Sequence, residues 1–427
     1  MKKILWICNI MLPAIAKELE MEYSNREGWL SGIYEKAVAE EFPFSLAICF
    51  PMSRKAFEEK KQSIKRLGTK NVKCFAFVED LQTPEIYDRH LEQQFQEIFE
   101  EYRPDLVHIF GTEFPHTLAA VRAFGNPGHT LIGIQGLCCE IAKCYQAGLP
   151  EEVFRSISFR DVLRWDSMKQ QQKKFELRGK HEVDAIRGTG NITGRTVFDR
   201  ETTQQINPHA AYFPMNETMR AEFYEGKWEQ DKAEPYSIFL GQGDYPLKGM
   251  HILLKAMGRL KEAYPALKVY VAGNNIISQE TGKDKIKLPA YGKYLLHLLK
   301  ENELEGHVVM LGKLSALQMK QQYLNSSVFV CASVLENSPN TVGEAMLLGV
   351  PVIAARTGGI PSMIEDGLTG LLFENRDDRE LAAAITRLWE NPEFAQNISS
   401  HERVRASFTH DRDKNYQRLL EIYDSIL

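Results

Sequence analysis

Short apolar runs rich in β-branched, aromatic and small residues recur along the whole chain, separated by amphipathic stretches of helical period. In the first half the runs at Ile4 to Cys8, Phe44 to Phe50, Val72 to Val78, Leu106 to Ile109, Leu131 to Ile134 and Asn191 to Thr193 predict strands. Helical stretches fall at Trp29 to Glu41, Arg54 to Leu67, Ile86 to Tyr102 and Thr117 to Phe124, with a polar helical region over Glu151 to Ile186. The rhythm restarts at Ser237 to Leu240 and continues through Val269 to Ala272, Val308 to Leu311, Val328 to Ala332 and Val352 to Ala354. Strands alternating with helices imply an α/β fold with parallel sheets.

A chain of 427 residues exceeds one ordinary core, so two domains are expected, residues 1–207 and 208–411. Asn207 to Pro235, with Pro208, Pro214 and Pro235, reads as the linker. Hydrophobic content of 44%, charged content of 26% and a net charge of −5 describe a globular protein with no bias towards polyanions, which argues against nucleic acid as a partner. The start, from Met1 to Pro13, superficially suggests a signal peptide. Asn9 and Pro13 interrupt its apolar run, and Lys17, Glu18 and Glu20 follow, so a first buried strand explains it better. No run reaches the ~20 apolar residues that span a bilayer. The seven cysteines form no C-x-x-C pair and have no histidine at ligand spacing; they read as reduced thiols, and no metal site is expected.

Chemistry concentrates where the run Val328 to Ser333 gives way to the turn Asn337-Ser338-Pro339-Asn340 and then to a helix over Thr341 to Leu348. A turn feeding a helix start aims free backbone amides and the positive dipole end beyond the strand, which suits phosphate. Glu336 and Glu344 bracket that turn, placed to accept hydrogen bonds from hydroxyls on either side of it. A sugar joined through a diphosphate to a ribose has that layout. Taken alone, the pair also reads as a solvated turn residue and a favourable early helix acid.

The stretch around Glu336 and Glu344 resembles the E-x7-E signature of retaining glycosyltransferases of GT-B architecture, family 4, and Thr357-Gly358-Gly359 with Gly367 and Gly370 extends the likeness to a further short strand. The resemblance implies two Rossmann-like domains whose parallel sheets face across a cleft, with the last helix, about 412–427, packed back on the first. It gives Glu336 contact with the transferred sugar, Glu344 the ribose hydroxyls, and the amides of Asn340, Thr341 and Val342 the distal phosphate. Gly241 to Gly249 resembles the family's G-R-x-x-P-x-K-G. Lys248 keeps the phosphate-gripping lysine, but Gln242 or Gly243, depending on the alignment anchor, stands where the family has arginine. Arg195, directly after an apolar run, is the candidate replacement. Gly273-Asn274 and Gly312-Lys313-Leu314 would flank the base, with Gly312 and Leu314 as donor contacts.

In open parallel sheets ligands sit beyond the carboxyl ends of the strands. That nominates Gly28, where the family has two adjacent glycines and this chain has Glu27-Gly28, for the donor. Glu113, His116 and Gln135 are nominated for acceptor or sugar contacts. A tight turn for Gly28 and a helix cap for His116 are the other readings. Asp411-Arg412-Asp413 imitates a metal-binding D-x-D but reads as a solvated helix start.

The resemblance implies transfer of a sugar from a nucleoside-diphosphate sugar, UDP or GDP, to a hydroxyl of a glycan or lipid-linked acceptor, with no permanently bound cofactor. Cell-surface polysaccharide or glycolipid assembly in the cytoplasm, at the inner face of the membrane, is the implied setting. A non-catalytic nucleotide-sugar-binding protein and a sugar-nucleotide epimerase remain the rivals. Phe154, Arg155, Phe159, Arg160, Leu163, Arg164 and Trp165 interleave aromatic and basic residues, either to rest on an anionic membrane or as an ordinary packed helix.

Overall fold

The computed structural model describes residues 1–22, 28–39, 42–64, 67, 72–279 and 287–427, residues 28 and 29 by their backbone only. The chain divides into two compact units, one of residues 1–142, 174–220 and 410–427, the other of 143–173 and 221–409.

The first unit is built on β1 (Lys3–Cys8), β2 (Ser45–Met52), β3 (Val72–Val78), β4 (Leu106–Phe110), β5 (Thr130–Gly133), β6 (Asn191–Gly194) and β7 (Ala211–Pro214). They form one parallel sheet in the order β3-β2-β1-β4-β5-β6-β7. Alternate residues of β1 feed cores on opposite faces: Ile4, Trp6 and Cys8 on one, Leu5 and Ile7 on the other. Burial on both faces is why these strands read as continuous apolar runs. The final helix, Arg412–Ile426, adds Tyr416, Leu419, Ile422 and Tyr423 to the Trp6 face. Asp411 caps it, accepting from the amides of Asp413 and Lys414, the solvated helix start read from the sequence.

The second unit carries β8 (Glu234–Leu240), β9 (Lys268–Ala272), β10 (Val308–Gly312), β11 (Ser326–Cys331), β12 (Val352–Arg356) and β13 (Leu371–Glu374), all parallel in the order β10-β9-β8-β11-β12-β13. The strand order reverses between β8 and β11, and in the first sheet between β1 and β4. Such switch points open a crevice at the carboxyl ends.

Two expected boundaries need correction. Residues 208–220 are not linker: Ala211 to Pro214 pair in register with Asn191 to Gly194, closing the first sheet. Pro214 misled because proline, excluded from central strands, is tolerated at the end of an edge strand. The polar helical region is likewise not one element of the first half. It breaks into Glu151–Arg155, Phe159–Arg164 and Met168–Arg187, and its first part joins the second unit. There Asp161 accepts from the Ala290 amide at 3.0 Å and the Ala147 carbonyl lies 3.0 Å from the His251 ring.

A buried polar knot ties the last helix to the first unit. Arg195 pairs with Glu217, their side chains 7% and 3% exposed, and the Glu217 carbonyl accepts from His410 at 2.9 Å and from Asn415 at 3.0 Å. Removing one partner of such a pair leaves a buried charge uncompensated, at a cost of about 3–5 kcal/mol. Arg195→Ala should therefore lower the urea midpoint of this unit sharply, while Arg195→Met with Glu217→Met recovers most of the loss. Equal midpoints for the wild type and Arg195→Ala would show that the pair is solvated.

Burial pulls the His108 imidazole, which lies 2.7 Å from the Tyr423 hydroxyl, down to about 3, and that of His410 down to about 4. Groups depressed below the unfolded ~6.5 give stability that is complete above that pH and lost as pH falls towards their folded values. Burial raises Glu182 to about 7, so its contribution runs the opposite way, present in acid and lost as pH rises through 7. Burial likewise lowers His251 to about 4 and raises Glu402 well above the usual carboxylate range, so three histidines oppose two acids and the histidines prevail. Urea midpoints should fall from about pH 7 to about pH 4.5, and His410→Gln should flatten the fall; a midpoint that rises on acidification would overturn the assignment.

Candidate nucleotide-sugar site

Two loops converge at the switch point of the second sheet. The loop after β8 ends in a single turn, Pro246–Lys248, and the loop after β11 leads into the helix Asn340–Leu348. The Val334 amide donates to the Leu247 carbonyl at 2.8 Å, fastening one loop to the other. Gly249, at φ +71°, sits where any Cβ would run into the Ala332 carbonyl, and Gly358, at φ +50°, does the same against the Glu336 carbonyl. The Gly359 amide donates to that carbonyl at 2.9 Å. Glycine is thus required at both approaches, since a side chain would push the loops apart.

The consequence is a contact between two predicted site residues: Lys248 Nζ lies 2.6 Å from Glu336 Oε1, the side chains 21% and 16% exposed. The Tyr245 ring stands 5.6 Å from the ammonium. Burial works against the charge, but Glu336 and Tyr245 more than offset it and hold the Lys248 pKa above its ordinary value. Lys248 is a firmly protonated cation here.

The helix start lies in the same place. Pro339 is its N-cap and supplies no side-chain bond, so the amides of Asn340 and Thr341 have no carbonyl a turn earlier to meet. Gly241, first after β8, packs against Thr341, where a Cβ would lie 3.2 Å from Thr341 Cγ2. Asn340 Oδ1 is buried without a hydrogen-bond partner among the described residues. Val342 departs from expectation: its amide donates to the Pro339 carbonyl at 3.0 Å and is not presented for phosphate. Glu344 is buried in the helix, its Oε2 3.4 Å from the Tyr323 hydroxyl, which lies 3.0 Å from the Thr341 carbonyl.

At the place of the family's arginine, Gly243 is walled in: a Cβ there would press on Val271 and Met250, so no longer side chain fits. Gln242 is the half-buried residue, and its amide donates to Asp244 Oδ1 at 2.9 Å while Asn274 donates to Asp244 Oδ2 at 2.6 Å. An amide–carboxylate–amide cluster stands where a second cation was expected. Gly312, at φ +72°, has open space on its Cβ side, and Leu314 beside it is half-buried.

The first-unit candidates fare differently. Gly28 opens the helix Gly28–Ala39, while Glu27 lies outside the described residues. His116 is fully buried, Nδ1 2.7 Å from Glu79 and Nε2 3.0 Å from Asn9, so neither the expected substrate contact nor a helix cap describes it; both ring nitrogens are occupied. Glu113 is half-buried, one carboxylate oxygen accepting from Asn9 at 3.1 Å and from its neighbour Thr112 at 2.9 Å. Gln135 is half-buried beside a cavity of about 20 Å³, its carbonyl accepting from Arg195. Arg195 does not replace the absent arginine. Its Nη1 pairs with Glu217 and its Nη2 donates to the carbonyls of Ile134 and Gln135, so the guanidinium is spent inside the first unit.

Sequence reasoning missed Asn9, Glu79, Tyr245 and Asp244. Each lies just past a strand end, and a stricter use of that rule would have found them.

Residues 221–405 match the family described as Glycosyl transferases group 1. Over 186 residues the chain is 28% identical to a D-inositol 3-phosphate glycosyltransferase of Thermomonospora curvata, covering 44% of this chain and 42% of that one. Over 118 residues it is 34% identical to the sulfoquinovosyl transferase SQD2 of Arabidopsis thaliana, covering 25% and 23%. The matched stretch spans less than half the length of these curated relatives. Among solved structures, the sucrose-phosphate synthase of Thermosynechococcus elongatus superposes with a TM-score of 0.70 at 16% identity, covering 100% of this chain and 99% of the other. HepE of Anabaena, in complex with UDP and glucose, superposes at 0.65 and 16% identity, with both chains fully covered. Residues 221–405 are thus similar to the group 1 glycosyltransferases, and the fold of the chain is the GT-B fold of two Rossmann-like domains.

Proposed function

We propose that this protein is a retaining glycosyltransferase of the family 4 type, which moves a sugar from a nucleoside-diphosphate sugar to a hydroxyl of a glycan or lipid-linked acceptor in cell-surface polysaccharide or glycolipid assembly. The observation that carries the reading is the Lys248–Glu336 contact of 2.6 Å beside the start of the helix Asn340–Leu348. A cation, a sugar-reading carboxylate and two helix-start amides within one switch point are the set that a diphosphate sugar requires. On this reading Lys248 and the amides of Asn340 and Thr341 take the diphosphate. Glu336 takes sugar hydroxyls, Glu344 the ribose, and Gly312 with Leu314 the base. The acceptor hydroxyl enters on the face the diphosphate leaves, and a diphosphate oxygen accepts its proton. Charge grows on the leaving group, so fixed positive groups there lower the barrier. The first unit supplies acceptor contacts through Glu113 and Gln135, with His116 and Asn9 holding Glu113 in place. An acceptor carried at a membrane calls for peripheral contact with its inner face.

The Asp244 cluster favours a second reading, a nucleotide-sugar-binding protein without turnover, because the diphosphate would meet one side-chain cation instead of two. Acceptor-dependent release of free nucleoside diphosphate separates the two, and release that needs no acceptor would point to neither.

Glu336→Gln and Glu344→Gln should each lose most transfer while the protein stays folded. Near-normal turnover in either removes that residue's role. Lys248→Ala should cost about 2.7–4 kcal/mol in the transition state, a fall of about 10²–10³ in kcat, since it removes one charge donor from the leaving group.

Transfer should also be independent of divalent cations. Lys248 and the amides of Asn340 and Thr341 would carry the neutralisation that a metal ion supplies elsewhere. Activity lost in excess chelator and regained with manganese or magnesium would show that a metal supplies the charge of the absent arginine.

A further inference from the structure

The segment between the short helices Glu151–Arg155 and Phe159–Arg164 and the following turn exposes five large apolar side chains in nine residues. Ile157 is 63% exposed, Phe159 61%, Val162 60%, Leu163 67% and Trp165 75%. An apolar residue so bare contacts little of its own chain, and five within nine residues form an exposed apolar tip. Only Phe154, of the aromatic residues read from the sequence here, is packed inside, 5% exposed.

The tip is held rigidly despite having no core of its own. Ser158 and Asp161 form a reciprocal capping box, at 3.2 and 2.9 Å, and buried Asp161 also accepts from the Ala290 amide at 3.0 Å. Arg160 bridges Asp161 at 3.2 Å and Asp166 at 3.3 Å. Trp165 is held at φ +49°, a left-handed conformation that a bulky residue adopts only when its surroundings impose it. The scaffold therefore fixes the apolar side chains outward, against the hydrophobic effect.

Charge indicates the occupant. The acids of the tip, Asp161 and Asp166, are neutralised by Arg160, whereas Arg164 is exposed and Lys169 and Lys173 stand exposed one turn apart on the next helix. We infer that the Ile157–Trp165 tip is a membrane-docking wedge that inserts its apolar side chains at the headgroup boundary of an anionic phospholipid surface, with Arg164, Lys169 and Lys173 over the lipid phosphates. An exposed apolar tip flanked by cations, with tryptophan its barest member, matches the interfacial zone of a bilayer, where an amphipathic ring is at home. A protein partner would need a complementary pocket for every one of these side chains.

This inference rests on the transferase reading only for its purpose, to bring the second unit to a lipid-linked acceptor, and its test is independent of turnover. The full chain should co-sediment with vesicles of phosphatidylcholine mixed with phosphatidylglycerol at low salt, and weakly or not at all with phosphatidylcholine alone. Leu163→Ser with Trp165→Ser should weaken that binding roughly tenfold or more, and Arg164→Ser about fivefold on the anionic vesicles only. All variants should keep wild-type melting and wild-type binding of UDP and GDP, because these side chains support nothing beneath them. No sedimentation of the wild type, or equal sedimentation of the double variant, would overturn the wedge. So would a wild-type dimer in light scattering that the double variant abolishes without any vesicle binding, which would make the tip a contact with a second copy. If neither UDP nor GDP binds wild type or variants while vesicle binding stands, the donor reading fails and the wedge does not.

Discussion

The pairing of Lys248 with Glu336 is the constraint around which the second unit is arranged. A lysine and a glutamate 88 positions apart meet at 2.6 Å only because three loops crowd the carboxyl ends of β8, β11 and β12. The crowding depends on backbone passing backbone without side chains between. Gly249 against Ala332 and Gly358 against Glu336 are the points where a single methyl group would force separation. Glu336 and Tyr245 hold Lys248 protonated against its burial, so a cation stands at the site before any ligand arrives. A bound diphosphate would draw on Lys248 and a bound sugar on Glu336, and each must compete with the pair it interrupts.

The first unit solves a related problem with neutral chemistry and buried acids. Along the carboxyl ends of its strands, Glu79 after β3 meets His116, His116 meets Asn9 after β1, and Asn9 meets Glu113 after β4. Thr112 continues from there to Glu182, which also collects the amides of Cys138 and Cys139 after β5. A connected run of satisfied polar groups stiffens what would otherwise be loops, because any break leaves a buried donor or acceptor unpaired. Glu113 is the half-exposed member of this run, and its orientation is inherited from partners that face no solvent.

Strand positions were legible in the sequence because strands buried on both faces leave continuous apolar runs, and all but one of the thirteen could be read that way or from a turn before it. The exception, β7, is an edge with the pattern Ala-Tyr-Phe-Pro, too short and too exposed at its ends to separate from a linker. The helix over residues 151–186 was overextended for a different reason. Its breaks are made by the local capping box of Ser158 and Asp161 and by the left-handed Trp165, and Asp161 is fixed further by the Ala290 amide, 129 positions away.

The sequence by itself determined the alternation of strands and helices, the helix start after β11, and the residue types proposed to meet diphosphate and hydroxyls, because these follow from local period, turn chemistry and charge. Tertiary structure alone decided which charges are available. Arg195 and Lys248 look alike as cations after apolar runs, yet burial against Glu217 spends the first, while glycine-permitted crowding presents the second. Likewise, His116 looked like a cleft residue until both its nitrogens found partners 37 and 107 positions away. A side chain's partners lie at sequence distances that no local pattern encodes, so its availability is a property of the packed chain.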